Sequence, residues 1–256
     1  MPAAPRFIGR LKLFVRNDAE ETRRFFAEDI TRKLKKFLDE KRDVLFLTSG
    51  GSALGVLDRI DESVLTPGVT IGIFDERWDP TNKTSNYAQV RKTQFYLQAV
   101  SRGCRLIDTA TAKGQSQDEL ADFYERELRV WRERHPSGVI LATIGVAIDG
   151  HTAGIMPFPE DPERFTALFE GERWIVAYDA TGKNPYPFRV TTTFKFLRMV
   201  DLVGVFLIGQ DKGEIFRKLL EEGSLAEIPG RIIKELPRGA VYVDLPLARA
   251  AGFTLS

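Results

Sequence analysis

Apolar and polar residues follow one another in blocks along this chain, and the blocks have two different periods. Continuous or nearly continuous apolar runs of strand length occur at LKLFVR, VLFLTS, VTIGIF, VILATIGVAI and LVGVFLIG. Between them, apolar residues recur every three or four positions, as in AEETRRFFAEDITRKLKKFLDEKR and SQDELADFYERELRVWRERH. Continuous runs are typical of strands buried on both faces, and the longer spacing is typical of amphipathic helices.

The order of these blocks predicts a doubly wound α/β fold, in which a mostly parallel sheet carries helices on both faces. Strands are predicted at residues 10–16, 43–49, 69–76, 104–109, 138–148, 202–209 and 240–245. Helices are predicted at residues 18–42, 52–60, 85–100, 116–135 and 211–223, the first with Asp18 as its N-cap. The segment 154–190 is less regular, and we expect loops there with an edge strand around WIVAYD. Neither a repeat nor a long linker divides the chain, so we expect one domain over residues 1–256.

Positive and negative charges nearly cancel along the chain. Thirty-seven basic and 36 acidic residues give a formal net charge of +1, so no overall field attracts nucleic acid or an anionic membrane. An anionic ligand must therefore be bound by a local pocket. No apolar run reaches the ~18 residues of a membrane-spanning helix, and the start MPAAPRFIGR lacks the features of a secretory signal. We expect a cytoplasmic protein, monomeric or a small homo-oligomer, that binds neither nucleic acid nor membrane.

Histidine and cysteine are scarce, which limits the metal and redox chemistry to be expected. Two histidines and one cysteine argue against a zinc or iron site held by the protein, although carboxylates could still bind magnesium. We expect neither a metal nor a cofactor. Cys104 cannot form an internal disulfide, and its apolar surroundings in CRLID favour a buried thiol.

Polar or glycine-rich residues follow four of the predicted strands. They are SGGS at 49–52, DERWD at 75–79, DGHT at 149–152 and GQDK at 209–212. Open α/β sheets bind ligands in the crevice beyond the carboxyl ends of their strands. These four segments are therefore the candidate binding site.

The segment LTSGGS is a candidate anion-binding loop. Gly50 and Gly51 allow the backbone to approach a ligand closely, and a helix beginning near Ser52 would point free N–H groups at it. The segment matches neither a Walker A loop nor a GxGxxG turn. A plain strand-to-helix turn is the alternative.

Charged residues near the other strand ends supply further candidates. Asp75 and Glu76 end a predicted strand, so one of the two can face the crevice, and we assign Asp75 to the substrate-binding set. Arg77 follows them. Arg189 and Lys212 could hold an oxyanion from two sides. Each of these charges could instead be a solvated surface group.

The two histidines have different contexts. His135 lies in RERHPSG at the predicted end of a helix, where a cation interacts favourably with the helix dipole, and we expect it to be structural. His151 lies in a glycine-rich turn beside Asp149, which can orient its ring. Because imidazole side chains exchange protons near neutral pH, His151 is the candidate general base. No GxSxG motif is present, which favours water as the attacking group.

The chain resembles the 6-phosphogluconolactonases, and the related glucosamine-6-phosphate deaminases, from about residue 11 to residue 250. The resemblance is carried by TSGGS, FDERWDPTNKTSNYAQVRK, GVAIDGHTAGIMPFP, FRVTTT, GQDK and IPGRIIK, taken in order. It implies a Rossmann-like α/β domain that hydrolyses the lactone of 6-phosphogluconate in the pentose phosphate pathway without a cofactor. In this resemblance Gly50, Gly51 and Ser52 match the loop that cradles the sugar phosphate. Arg189 and Lys212 match basic residues that hold it.

The same resemblance implies the roles in hydrolysis. His151 matches the proposed base, and Asp149 would orient its imidazole. Arg77 would stabilise charge that develops on the carbonyl or hold the product carboxylate. Lactone hydrolysis needs a positioned water, a base active near neutral pH and positive groups aimed at the oxyanion, so the chemistry agrees with the residue types present.

Two alternative functions stay open from the sequence. A deaminase would have a glutamate in the segment after the histidine, where this chain has Met156, which favours the lactonase. Near the expected site the chain departs from the usual lactonase pattern at Ala53, Leu54, Ala147 and Gly154. These departures are also compatible with a divergent protein that binds a phosphosugar in a regulatory role and turns it over poorly.

Overall fold

Strands and helices alternate through residues 6–253, the part of the chain that the computed structural model describes, although the side chains of Arg6 and Ser52 lie outside that description. The strands are β1 (Arg6–Ile8), β2 (Leu11–Arg16), β3 (Val44–Thr48), β4 (Val69–Ile73), β5 (Asp75–Arg77), β6 (Arg105–Leu106), β7 (Val139–Gly145), β8 (Ile175–Asp179), β9 (Phe188–Thr192), β10 (Leu202–Leu207) and β11 (Gly239–Asp244). The helices are α1 (Ala19–Asp39), α2 (Leu54–Leu57), α3 (Asn86–Val90), α4 (Gln94–Ser101), α5 (Gln117–Arg134), α6 (Pro162–Phe169), α7 (Phe194–Arg198), α8 (Gly213–Leu220) and α9 (Leu245–Ala250). None of the helices in this range is long and apolar enough to cross a membrane.

Eight strands form a central sheet in the order β1-β2-β11-β10-β7-β3-β4-β6. Neighbouring strands in it are parallel, except for the antiparallel pair β1 and β2. From β3 the chain continues outward to β4 and β6, whereas from β7 it continues in the opposite direction to β10 and β11. The order of strands therefore reverses between β3 and β7, and the predicted doubly wound α/β fold is confirmed.

Both faces of the sheet are covered, which explains why its central strands are apolar at most positions. In β3, Leu45 and Leu47 belong to the core on the side of α5, whereas Val44 and Phe46 belong to the core on the side of α1, and all four are fully buried. Burying a side chain of this size contributes about 1.5–3 kcal/mol. Packing against a core on each face thus holds the ends of the strands in fixed positions.

The two long helices begin where the sequence predicts. The side chain of Asp18 accepts a hydrogen bond from the backbone N–H of Glu21 at 2.7 Å, which makes it the N-cap of α1. Ser116 caps α5 through a reciprocal pair of hydrogen bonds with Glu119, the arrangement known as a capping box. These caps satisfy backbone donors that the first helical turn cannot pair.

Cys104 and His135 lie in structural positions, as predicted. Cys104 is buried, its thiol donates to the carbonyl oxygen of Thr66 at 3.4 Å, and burial raises its pKa to about 11. His135 ends α5, and its Nδ1 lies 2.9 Å from a carboxylate oxygen of Asp43.

Several predicted elements are shorter than expected, and one changes sheet. The predicted helix at 52–60 is a 3-10 turn at Gly51–Ala53 followed by the four-residue α2. The predicted helix at 85–100 divides into α3 and α4, because Thr93 caps a new helix with a hydrogen bond from Tyr96. The strand predicted at 104–109 is reduced to the two residues of β6.

The strand predicted at 69–76 divides after Ile73, and its last residues join a second sheet. β4 stays in the central sheet, whereas β5 pairs antiparallel with β9, which in turn pairs with β8. The edge strand expected around WIVAYD is confirmed as β8. Five elements were not predicted: β1, β9, α6, α7 and α9. A short strand with polar positions such as β9 is stabilised by pairing with distant residues rather than by its own sequence.

Candidate active site

The polar strand ends meet at one cavity of about 210 Å³ beside the reversal of strand order between β3 and β7. The residues that line it are Ser49, Gly50, Gly51, Asp75, Arg77, Asn86, Gly145, Val146, Ala147, His151, Ala153, Gly154, Arg189 and Lys212. Seven of the nine predicted site residues are therefore brought together. Asp149 lies behind His151, and the side chain of Ser52 is outside the described residues.

His151 and Asp149 form a directly bonded pair. Nδ1 of His151 lies 2.7 Å from Oδ1 of Asp149, which also accepts the backbone N–H of His151 at 3.1 Å. With Nδ1 occupied, Nε2 is the ring nitrogen left for a ligand in the cavity. Burial acts to raise the pKa of Asp149, but the hydrogen bonds and charge of His151 outweigh it and lower that pKa below its usual value. At neutral pH the orienting carboxylate is thus ionised.

The turn that carries this pair depends on a glycine beside Asp75. Gly154 has a φ of +73°, and a Cβ added to it would lie 2.6 Å from Cβ of Asp75. The turn is tied back to β7 by Thr152, whose hydroxyl donates to the carbonyl oxygen of Gly145 at 2.7 Å. The backbone N–H of Ala147 donates to the carbonyl oxygen of His151 at 3.0 Å. The departure from the lactonase pattern at Gly154 therefore has a steric reason in this chain.

The glycine loop after β3 lies against Asn86. A Cβ added to Gly50 would lie 2.6 Å from Oδ1 of Asn86, so a larger residue does not fit there without movement. Gly51 has a φ of +66° and is exposed. The helix predicted at 52–60 is shorter than expected, because the 3-10 turn and α2 together span Gly51–Leu57. An anion at this loop would therefore be held by loop N–H groups, with little contribution from a helix dipole.

Arg189 is buried, 3 % exposed, and paired. Its Nη1 donates to Oδ2 of Asp75 at 3.2 Å, and its Nη2 donates to Oδ1 of Asn184 at 3.3 Å. Its Nε is buried and has no hydrogen-bond partner within residues 6–253. An unpaired buried donor on a cation is costly, so this guanidinium has a donor that no described residue satisfies.

Arg77 is the second guanidinium of the cavity. It lies over the ring of Tyr186, 4.3 Å from the centroid, and its Nη1 donates weakly to the carbonyl oxygen of Thr84 at 3.4 Å. Burial, together with the charge of Arg189, lowers its pKa. Its Nε is likewise buried without a hydrogen-bond partner in the described part of the chain.

Lys212 enters the cavity from the side of β10. It ends the 3-10 turn Gln210–Lys212 before α8, and its Nζ donates to the carbonyl oxygen of Val146 at 3.0 Å. Burial lowers its pKa. Three cationic side chains thus line the cavity, whereas Asp75 is the one carboxylate among the lining residues of the described range. This surplus of partly desolvated positive charge favours an anionic ligand.

Glu76 faces away from the cavity and has a structural role that the sequence did not reveal. Its carboxylate accepts from the backbone N–H groups of Arg77, Asn86 and Tyr87 at 2.7, 2.5 and 2.9 Å. The hydroxyls of Ser85 and Thr109 donate to it at 3.0 and 3.1 Å. Burial raises its pKa to about 7, against the effect of these hydrogen bonds. It fastens the start of α3 to β5.

Asn86 is a lining residue that sequence reasoning did not single out. Its Nδ2 donates to the carbonyl oxygen of Asp75 at 2.9 Å and to Oδ2 of the same residue at 3.2 Å. The sequence signal was the Ser-Asn pair within the resembling segment, to which no role was attached. Its function depends on a fold that brings α3 beside β5.

The fold and the site together define a doubly wound α/β protein with an anion-receiving cavity and a histidine–aspartate pair at its strand-order reversal. The family model described as glucosamine-6-phosphate isomerases/6-phosphogluconolactonase matches residues 17–242. The chain belongs to this family.

Named relatives agree with that membership, and a solved structure agrees with the fold. The 6-phosphogluconolactonase of Xylella fastidiosa (strain 9a5c) is 26% identical over 229 residues, which cover 85% of this chain and 90% of the relative. The 6-phosphogluconolactonase of Thermotoga maritima is 28% identical over 207 residues, which cover 78% of this chain and 86% of the relative. The structure of the Trypanosoma cruzi 6-phosphogluconolactonase superposes with a TM-score of 0.76 at 16% identity, over 96% of this chain and 99% of that one.

Proposed function

We propose that this chain hydrolyses 6-phosphogluconolactone to 6-phosphogluconate. The observation that carries the proposal is that the His151–Asp149 pair borders the same cavity as Arg77, Arg189 and Lys212. A base beside clustered cations suits a phosphorylated ester whose reaction develops negative charge. The relatives from Xylella fastidiosa, Thermotoga maritima and Trypanosoma cruzi are all named 6-phosphogluconolactonases. Such a reaction of small sugar phosphates also fits the cytoplasmic location and the monomeric or small oligomeric state expected from the sequence.

In the proposed mechanism His151 acts as the general base. Nε2 takes a proton from a water molecule as the water oxygen bonds to the lactone carbonyl carbon. Asp149 holds the ring and stabilises the imidazolium that results, as a carboxylate does in other histidine pairs. Arg77 stabilises the tetrahedral oxyanion. When the intermediate collapses, the bond from carbon to the ring oxygen breaks and the imidazolium returns its proton to that oxygen.

The phosphate is proposed to lie between the Gly50–Ser52 loop and the cations Arg189 and Lys212. β3 and β10 flank β7 in the sheet, so the loop and Lys212 reach the cavity from opposite sides of β7. Backbone N–H groups of the loop would then donate to the phosphate from one side, and the two cationic side chains would donate charge-assisted hydrogen bonds from the other. Of the two cations, Lys212 is the freer one, because Arg189 is already paired with Asp75.

The deaminase alternative has less support. Met156, at the position where deaminases have a glutamate, is fully buried, and its backbone N–H donates to the hydroxyl of Tyr178 at 3.1 Å. It does not line the cavity. Ring opening and isomerisation of an amino sugar would therefore lack the carboxylate expected there. Steady ammonia release from glucosamine 6-phosphate would reverse this ranking.

The test is to supply freshly prepared 6-phosphogluconolactone and to follow its loss above the spontaneous rate. We expect clear acceleration, weak activity on unphosphorylated gluconolactone, and competition by 6-phosphogluconate or inorganic phosphate. Binding of 6-phosphogluconate without acceleration would favour the regulatory alternative. Equal turnover of both lactones would reject the phosphate site.

A further inference from the structure

A carboxylate stands in a cavity that otherwise attracts anions. Asp75 lines the cavity together with three cationic side chains, and it is 8 % exposed. A carboxylate repels both a phosphate group and the carboxylate formed by lactone hydrolysis. Asp75 is therefore suited to a neutral part of the ligand that donates hydrogen bonds, and the donors of a phosphosugar lactone are its ring hydroxyls.

The position of Asp75 is fixed from three directions. Asn86 donates from Nδ2 to its backbone carbonyl oxygen and to its Oδ2, at 2.9 and 3.2 Å. Arg189 donates to the same Oδ2 at 3.2 Å. Gly154 lies against Cβ of Asp75, since a Cβ added to Gly154 would be 2.6 Å from it. A side chain held this firmly is suited to select one ligand geometry.

The two carboxylate oxygens of Asp75 are not equivalent. Oδ2 accepts two hydrogen bonds from side chains, whereas Oδ1 accepts none from any residue between 6 and 253. The orientation of the Asn86 amide follows from chemistry, because both atoms that face its Nδ2 are acceptors and the flipped amide would oppose oxygen to oxygen. Asn86 thus directs Oδ2, and Oδ1 is left for a donor in the cavity.

We infer that Asp75 is the specificity-determining residue of the site and that its Oδ1 accepts a hydrogen bond from a ring hydroxyl of the substrate. Asn86 is a positioning residue that acts through Asp75. The inference rests on the proposed function and narrows it to phosphorylated lactones that carry a hydroxyl at one particular ring carbon. Sites built to bind a hydroxyl discriminate strongly against analogues that lack it, because their buried polar group is then left unpaired.

The experiment compares kcat/KM for 6-phosphogluconolactone with the values for its 2-deoxy, 3-deoxy and 4-deoxy analogues. The wild-type protein should disfavour one of the three by roughly 10- to 150-fold, the range for a hydrogen bond to a charged group. In Asp75→Ala the ratio of kcat/KM for the parent lactone to kcat/KM for that disfavoured analogue should fall close to one. The corresponding ratios for the other two analogues should stay as in the wild type. Asn86→Ala should give an intermediate ratio. If Asp75→Ala keeps all three wild-type ratios, the inference is overturned.

Asn184→Ala is the matched control, because it removes the other side-chain partner of Arg189 without changing the carboxylate. It should alter all four lactones alike and preserve the ratios. If Asp75→Ala does not fold, Asp75→Asn keeps the shape, and its weaker neutral acceptor should still reduce the ratio several-fold. An unchanged ratio in that variant counts against the inference.

Calorimetric binding of 6-phosphogluconate and its three deoxy forms separates this inference from the proposed function. Absence of lactone turnover by the wild-type protein rejects the proposed function alone. Discrimination in binding that Asp75→Ala removes still supports the role of Asp75. Absence of discrimination among the four acids, or of binding altogether, rejects that role as well.

Discussion

Arg77 and Arg189 lie directly opposite each other in the antiparallel pair of β5 and β9. Like charges at opposed positions of a sheet are destabilising, and Asp75 forms an ion pair with Arg189 at 3.2 Å. A bound anion would relieve this repulsion, so ligand binding and stability are coupled at this pair of strands.

The first prediction concerns this coupling. Saturating 6-phosphogluconate should raise the unfolding temperature, because a ligand at 100 times its Kd stabilises the folded state by about 2.7 kcal/mol. Arg77→Gln should show a smaller rise at the same ligand concentration in a thermal scan. Arg102→Gln, which removes an exposed arginine paired with Glu62, should show the wild-type rise. Equal rises in all three proteins would contradict a role for Arg77 in binding.

His151→Ala should lower kcat by about 10²-fold or more, as expected for loss of a general base, with a smaller effect on KM. The chain offers a matched control in its other histidine. His135→Ala removes an imidazole that is also paired with an aspartate, but at the end of α5. Steady-state kinetics of a folded His151→Ala protein with near-normal turnover would falsify the assignment.

Asp149→Asn should lower kcat by more than about 10-fold, because a neutral amide accepts a weaker hydrogen bond from Nδ1 of His151 and does not stabilise the imidazolium. It should also change the dependence of stability on pH. The pKa of Asp149 in the folded protein is below its usual value of 3.8, so the stabilisation is complete above that pH and is lost as the pH falls through the folded pKa. Urea unfolding between pH 7 and 3 should show wild type and variant converging in acid. Parallel curves would mean that the pair does not stabilise the fold.

Lys212→Ala and Arg189→Ala should each weaken binding of the phosphorylated lactone by roughly 10- to 150-fold, the equivalent of about 1.5–3 kcal/mol for a hydrogen bond to a charged group. Unphosphorylated gluconolactone should be affected much less. Lys218→Ala is the control, since Lys218 lies on α8 and pairs with Glu214 at the surface. If both site variants keep wild-type affinity for 6-phosphogluconate, the phosphate lies elsewhere.

Gly154→Ala should reduce both stability and activity. The φ of +73° costs a residue with a Cβ about 1–3 kcal/mol, and the new methyl group would push Asp75 aside. Gly55→Ala is the control, because the nearest atom to an added Cβ there is 3.8 Å away in the side chain of Arg23. Denaturant unfolding and kcat/KM together test this prediction, and an intact Gly154→Ala protein with full activity would refute it.

The sequence was informative where structure depends on local pattern. Continuous apolar runs located the central strands, and the rule for strand ends located His151 and Lys212 at one crevice. The orientation of Glu76 and the role of Asn86 could not be predicted from the sequence, because both depend on the packing of α3 against β5. The brevity of α2 was also missed, since the apolar spacing of SALGVLDRI is that of a longer helix.

The chain passes from one sheet to the other at Phe74, whose backbone N–H donates to the carbonyl oxygen of Thr48 at 2.9 Å. As a result the cavity lies where the two sheets meet. One wall, with the glycine loop and His151, belongs to the central sheet, and the other, with Arg189, belongs to the smaller sheet. A substrate that contacts both walls would therefore link two sheets that share no strand pairing. The separation of His151 from Arg189 is consequently a property of the way in which the two sheets pack against each other.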